Sequence, residues 1–333
     1  MNPPITYGTL CSGIDAVSLA WEPLGMVPVF SAENAVFPSK VLAHHWPDVP
    51  NLGDITAIDG IAIDGTGEYM MVDVLWGSLP CQDFSDAGKK KGLNGSRGAL
   101  TLAGLRLVDE IDPPVFVFEN VEGLLTEKKT NAFGQFLGRL AGEACELLPP
   151  GGTWSDAGYV SGPRRAIAWR LLDAQHFGLP QQRVRLFVVA CPHAYGIDPR
   201  DILFERVAPG ATAGERQGGE AYPVAGAPGC ALAYGLAIRG RKHGQQLEER
   251  GPISNCLRAS QGGSDKGMVL VWTPDGWRAR NMTAVECERS MGIPDNHTLI
   301  PGASESARLH AIGNSLPVPI VQWIGERILK VFA

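Results

Sequence analysis

The sequence predicts an α/β protein on a doubly wound, mainly parallel sheet, with a smaller loop-rich domain placed late in the chain. Three observations carry that expectation. Through residue 194, short β-branched and aromatic runs alternate with segments of helical period. A strand, CSGID and a helix follow one another at the start, the junction at which doubly wound proteins hold nucleotide-like ligands. From about 195 to 278 the rhythm gives way to Gly, Ala and Pro, and helical patterning returns only at 283. The expected units are therefore 1–194, 195–278 and 279–333, the last one completing the first.

Each element has its own reason. ITYGTL (5–10) reads as a strand that runs into CSGIDA and then the helix AVSLAWEPLG, closed by Gly25. PVFSAEN (28–34) is a second strand, followed by a helix through KVLAHHW. VDVLWGSLP (72–80) is a third, and GALTLAGLRLVDEID (98–112) is amphipathic at helical spacing. PVFVFEN (114–120) is a strand, residues 133–148 a helix, and RLFVVA a further strand. TAVECERSMG (283–292) and VPIVQWIGERILKVF (318–332) read as helices.

Composition narrows the class. Hydrophobic residues make up 44% and charged residues 19%, which suits a packed globular chain. The sequence contains no eighteen-residue apolar run and opens without a signal-peptide pattern, so no membrane association is expected. Seven scattered cysteines, none in a CxxC, point to a reducing cytoplasm and away from disulfides or a structural metal. Net charge is −6, but unevenly spread: residues 1–80 hold nine acids and one base, whereas 160–195 holds five arginines and one acid. A polyanion held by part of the surface is compatible with that distribution.

The chemistry-bearing residues fall at strand ends. In an open α/β sheet the carboxyl edge holds the site. Cys81, in GSLPCQDFSDAG, stands just past the third strand between Pro80 and Gln82. It reads as buried filler, or as a nucleophile once its thiolate is stabilised; no nearby thiol supports a redox pair. Glu119, after FVF, reads as a desolvated acid able to hold a proton near neutrality, or as part of a helix cap with Asn120. Arg183 and Arg185, in QQRVR, hold phosphate or a polarised base, or form a solvated pair. Glu33 is placed as an acceptor for ribose hydroxyls, and Asp54 for an adenine amine; each also reads as a surface acid or cap. Asp112-Pro113-Pro114 resembles the Asp/Asn-Pro-Pro-aromatic loop of amino-methylating DNA enzymes, but Val115 and then a strand follow, and it reads as a helix-to-strand connector.

The series TLCSGIDA, SAEN, GDI, PCQDFSDAG, RGAL, FVFENVEGLL, FGLPQQRVRLFVVA, TAVECERSMGIPD and AIGNSLPVPIVQWIGERI resembles the C5-cytosine DNA methyltransferases of bacteria and phages. It covers nearly the whole chain except about 195–278, where that family keeps its target-recognition region. The resemblance implies a Rossmann-like fold dependent on S-adenosyl-L-methionine, releasing S-adenosyl-L-homocysteine, and double-stranded DNA as partner. It implies Cys81 as the nucleophile on C6 of a flipped cytosine, Glu119 at N3 and the exocyclic amine, and Arg183 at O2. Arg185 and Gln181 would order the loop around Cys81. Gln82 and Ser85 would meet the DNA backbone, with Arg97, Arg239, Arg241, Lys242 and Arg258 as further DNA-contact candidates. Cys11, Ser12, Gly13, Ile14, Asp15, Glu33, Asn34, Asp54, Ile55, Pro80, Leu100, Asn314 and Ser315 would line the cofactor pocket.

The sequence departs from the family pattern in two places: Cys11 stands where an aromatic residue is usual, and Asp15 where a second glycine is usual. No motif residue is assigned to remove the C5 proton, and ordered water is the expected acceptor. A monomer is expected, with a cognate restriction endonuclease as candidate partner. The alternatives are a transfer-RNA cytosine-5 methyltransferase of the same fold and a catalytically inactive DNA-binding relative. A nicotinamide dehydrogenase is a poorer match, because CSGID is not GxGxxG.

Overall fold

The structure is a computed structural model describing residues 3–58, 71–79, 98–127, 130–205, 233–239, 246–249, 253–254, 256–257 and 267–333. Its centre is a sheet of β1 (Thr6–Leu10), β2 (Val27–Ala32), β3 (Val74–Gly77), β4 (Val115–Val121), β5 (Ala157–Ser161), β6 (Arg165–Asp173) and β7 (Val184–Pro192), in the order β2-β1-β3-β4-β7-β6-β5. The β2-β1-β3-β4 pairings are parallel, whereas β7 is antiparallel to both β4 and β6, and β5 to β6. The sheet is thus mixed rather than mainly parallel. The reason lies in the connections: only residues 174–183 join β6 to β7, and only 162–164 join β5 to β6, too few for a crossover.

Side chains alternate strictly between the sheet faces. Val74, Trp76, Val115, Val117, Phe187 and Val189 enter one buried cluster; Leu75, Phe116, Phe118, Leu186 and Val188 enter the other. On the first face lie α1 (Ala16–Trp21) and the C-terminal helix α9 (Val318–Phe332). Trp21 is fully buried, packs edge-on to Tyr7 and Trp76, and donates its indole N–H to the Val321 carbonyl at 2.9 Å. Gly325 allows that approach, because a Cβ there would lie 2.5 Å from Trp21 Nε1. On the second face lie α3 (Gly98–Ile111) and α5 (Ala132–Ala141). The latter stops seven residues short of the expected end at 148, because Gly142 takes a left-handed cap conformation with φ 83°. The helix α2 (Val36–His45) follows β2, and the short α4 (Gly123–Thr126) follows β4.

Past α6 (Pro199–Leu203), a four-stranded antiparallel sheet is built from β8 (Ala233–Arg239), β9 (Gln246–Glu249), β10 (Met268–Thr273) and β11 (Gly276–Asn281), in the order β11-β10-β8-β9. Strand β11 runs three residues past the boundary expected at 278. The sheet shares its core with the rest: Val269 and Val271 pack in the same cluster as Ala284 and Cys287 of α7 (Ala284–Ser290). Thr283 and Glu286 form a capping box on α7, and α8 (Glu305–Asn314) leads into α9. Among the described residues no helix is long and apolar enough to cross a membrane.

Candidate active site

The register of the parallel strands aligns the site. Leu10 pairs with Ala32 and with Gly77, and Gly77 with Phe118. One residue further along each strand, Cys11, Glu33, Ser78 and Glu119 form a row across the carboxyl edge. Because β7 runs the other way, its beginning reaches the same edge, with Val121 opposite Arg185.

At the β4–β7 end, the Glu119 side chain is 12% exposed and its Oε1 lies 3.2 Å from Arg185 Nε. Burial pushes the carboxyl above its ordinary range, while Arg185 and then Arg183 work against that rise. Next to it, Asn120 donates to the Leu79 carbonyl at 3.0 Å, and the Ser78 N–H donates to the Leu10 carbonyl at 3.1 Å. Asn120 therefore ties down the main chain two residues before Cys81. It is not a helix cap, since Glu122 holds that position on α4. Pro80, Cys81, Gln82, Ser85, Arg97, Arg241, Lys242 and Arg258 lie outside the described residues, and Arg239 is the last residue of β8.

The two arginines have different surroundings. Arg183 is 2% exposed. Its Nη1 donates to the Leu257 carbonyl at 2.8 Å, and its Nη2 to the carbonyls of Ser315 at 2.7 Å and Gly313 at 3.2 Å. Burial, then Arg185, lowers its pKa to about 10. Gln181, also buried, accepts from the Leu257 N–H and donates to the Ser290 carbonyl, both at 3.0 Å. These two side chains tie Cys256 and Leu257, the end of α7 and the end of α8 to the chain that enters β7. Only Arg185 stands beside Glu119 in an ion pair.

The basic stretch 160–195 is likewise used inside the fold. Arg165 is 1% exposed and pairs with Asp109 at 2.8 Å and Asp112 at 2.6 Å; Arg164 joins both acids, and Arg170 pairs with Glu205. Arg165 is buried and Arg164 and Arg170 are partly exposed, but all three are paired to acids of the chain, which lessens their fit to the polyanion surface that the charge distribution is compatible with. Asp112, Pro113 and Pro114 connect α3 to β4 at the amino end of that strand, opposite Glu119.

At the β1–β2 end the loop after β1 bends through left-handed residues: Cys11 (φ 53°), Gly13 (φ 59°) and Asp15 (φ 53°). The Glu33 carboxylate accepts from Gly13 N–H at 2.8 Å and Ala35 N–H at 2.7 Å. Asn34 donates to Asp54 at 3.2 Å. Hydrogen bonds from Thr56, N–H and hydroxyl, keep the partly exposed Asp54 carboxylate below its ordinary range. Burial, with Glu33 and Asp54 beside it, pushes the Cys11 thiol up to about 12, so it stays protonated. Leu100 and Cys11 pack on one cluster. The side chains of Ile14 and Ile55 enter the core, and Ser12 bonds to Thr9 and Ala32. Asp15 turns inward: its carboxylate caps α1 by accepting from the Ser18 N–H at 3.2 Å and hydroxyl at 2.5 Å. Burial raises its pKa to about 6. Asn314 is exposed at the end of α8, while the Ser315 carbonyl is taken by Arg183. The Glu33 and Asp54 carboxylates form an acceptor pair that suits a nucleoside's hydroxyls and exocyclic amine, while the Gly13 N–H is already taken by Glu33.

Two contributors escape sequence reading. Asn120 had a signal, its place beside Glu119 at a strand end. Cys256, whose sulfur lies against both arginines, had none in the surrounding SNCLRAS.

Comparison with known proteins agrees with this architecture. The model of the C-5 cytosine-specific DNA methylase family matches residues 5–208 and 235–330. The protein of Escherichia phage P1 named DNA N-6-adenine-methyltransferase is 32% identical over 98% of this chain, and the chain spans 61% of that longer protein. Type II methyltransferase M.HpaII of Haemophilus parainfluenzae is 27% identical, covering 99% of this chain and 90% of that protein. Among solved structures, the Entamoeba histolytica methyltransferase EhMeth superposes with a TM-score of 0.65 at 13% identity over 100% of both chains. S. pombe Dnmt2 methyltransferase superposes with a TM-score of 0.61 at 17% identity over 98% of each chain. Sequence, topology and family match converge: this chain belongs to the C-5 cytosine-specific DNA methylase family.

Proposed function

We propose that the chain is a DNA (cytosine-5)-methyltransferase that acts on a cytosine extruded from duplex DNA, through a transient bond between Cys81 and C6. The observation that carries this reading is the Glu119–Arg185 pair, set on the sheet edge at which β3 ends, with Pro80-Cys81 following shortly after that strand in the sequence. C5 of cytosine is a poor nucleophile until C6 is attacked and N3 is protonated. Cys81 forms the S–C6 bond while Glu119, whose burial favours its protonated form, gives its proton to N3. C5 becomes electron-rich and takes the methyl group. Its proton then leaves to water, the C5–C6 double bond re-forms, Cys81 departs, and N3 returns its proton to Glu119.

Arg185, rather than the carbonyl-bound Arg183, is the residue assigned to O2 of the base. S-adenosylmethionine, when bound, supplies the methyl as an electrophile. The residues of this chain that would hold it are the 11–15 main chain, Glu33 for hydroxyls and Asp54 for the adenine amine. Extruding the base costs a few kcal/mol, offset by phosphate contacts outside the 160–195 stretch.

The names of relatives such as M.HpaII favour a modification role beside a cognate restriction endonuclease. The adenine-N6 name of the phage P1 relative is not carried over: neither Asn2-Pro3-Pro4 nor Asp112-Pro113-Pro114 is followed by an aromatic residue, and each precedes its strand, away from the carboxyl edge.

Incubation with labelled S-adenosylmethionine and either duplex DNA or transfer RNA tests the reading. Label is expected in 5-methylcytosine of DNA, and none with Cys81→Ser. Label in N6-methyladenine, label in transfer RNA alone, or equal turnover by Cys81→Ser would overturn it.

A further inference from the structure

Arg185 stands between two acceptors. Its Nε is 3.2 Å from Glu119 Oε1, its Nη1 donates to the Val184 carbonyl at 2.8 Å, and its Nη2 reaches Cys256 Sγ at 3.6 Å. Nε and Nη2 share one edge of the guanidinium, the edge that pairs side-on with both oxygens of a carboxylate. Here that edge is divided, one nitrogen to Glu119 and one to sulfur. The same sulfur accepts from Arg183 Nη1 at 3.4 Å, and its S–H donates to the Leu257 carbonyl at 3.4 Å. Cys256 is half-buried, in the segment that Gln181 and Arg183 dock against β7.

We propose that Cys256 is a positioning residue: by occupying Arg185 Nη2 it limits Arg185 to one contact with Glu119, leaving the second carboxyl oxygen to the substrate base. A fully paired Glu119 would hold its charge and lose the proton that N3 requires. The sulfur prevents that closure without itself touching the base. The charged groups that face Glu119 among the described residues are Arg185 and Arg183, both at the start of β7. Asp173, at the end of β6, is turned to the N–H groups of Arg183 and Gln175. Cys256 follows β9 in the sequence, so its docking beside Arg185 links the β8–β9 part of the chain to the state of the acid. The inference rests on the proposed role of Glu119 as proton donor.

The test is the pH profile of kcat for methyl transfer to duplex DNA. In Cys256→Ala, Arg185 closes on Glu119 with both nitrogens. The alkaline limb moves to lower pH by about one unit, so kcat falls about tenfold at pH 8 and much less at pH 5.5. Cys256→Val, which fills the space without an acceptor, must shift the limb in the same way. Cys256→Ser, which keeps an acceptor and a donor, returns the limb to the wild-type position. An unmoved limb in the alanine and valine variants would overturn the proposal, as would a serine variant displaced as far as alanine, which would mark a packing role. Failure of the wider reading shows separately, as a wild-type protein that methylates nothing.

Discussion

Asp15 occupies a left-handed position usually given to glycine, and it serves there as a buried cap rather than as a ligand-facing group. Its folded pKa of about 6 lies above the ordinary 3.8, so the folded state binds the proton more tightly than the unfolded one. The charged carboxylate is therefore a penalty, fully present above pH 6 and lost as pH falls toward 4. Two pKa units correspond to about 3 kcal/mol. Asn tolerates the same backbone and caps as well. Asp15→Asn is expected to raise unfolding stability by about 2 kcal/mol at pH 8, with the gain roughly halved at pH 5. A gain independent of pH in denaturant titrations would contradict this. At the same scale, the motif QQRVR marked both arginines as a pair for phosphate or a polarised base. Their separation into a carbonyl-bound Arg183 and an acid-paired Arg185 depends on residues 254–257 and 313–315, more than seventy positions away, and no local pattern encodes such a contact.

The buried strands were legible because β-branched and aromatic runs mark them, and α9 because its apolar stripe keeps helical spacing. The β5–β6–β7 meander was not. WRLLDAQHFG suits either a strand or a helix by periodicity, and pairing direction depends on connection length rather than on the strand itself. The β10–β11 hairpin could have been found from Pro274-Asp275-Gly276 closing the apolar run 268–272, a turn signal with a physical cause. Helix α9 offers the sharpest element-scale test. Gly325→Ala drives a methyl group into Trp21 and loosens its hydrogen bond to Val321. A loss of about 1–3 kcal/mol is expected, read as a lower denaturant midpoint with an unchanged slope. An unshifted midpoint would mean that α9 is not packed on α1 as described.

For the molecule as a whole, one edge gathers what the chain scatters: the 11–15 loop, Glu33 and Asp54 at one end, Glu119 and Arg185 at the other, and the route to Cys81 between them. The order of motifs made that edge legible from sequence, since parallel strands bring their carboxyl ends together whatever the length of the connections. Charge was a poorer guide. The arginines of 160–195 are largely engaged by acids and carbonyls of the chain itself, and the net of −6 says little about where a duplex would lie.

The most direct measurement is mass spectrometry of the protein after reaction with S-adenosylmethionine and duplex DNA carrying 5-fluorocytosine, which cannot lose its C5 substituent. The account requires a stable adduct of protein, base and methyl group, with the modified peptide containing Cys81. An adduct on any other residue, or methylation without an adduct, would contradict it.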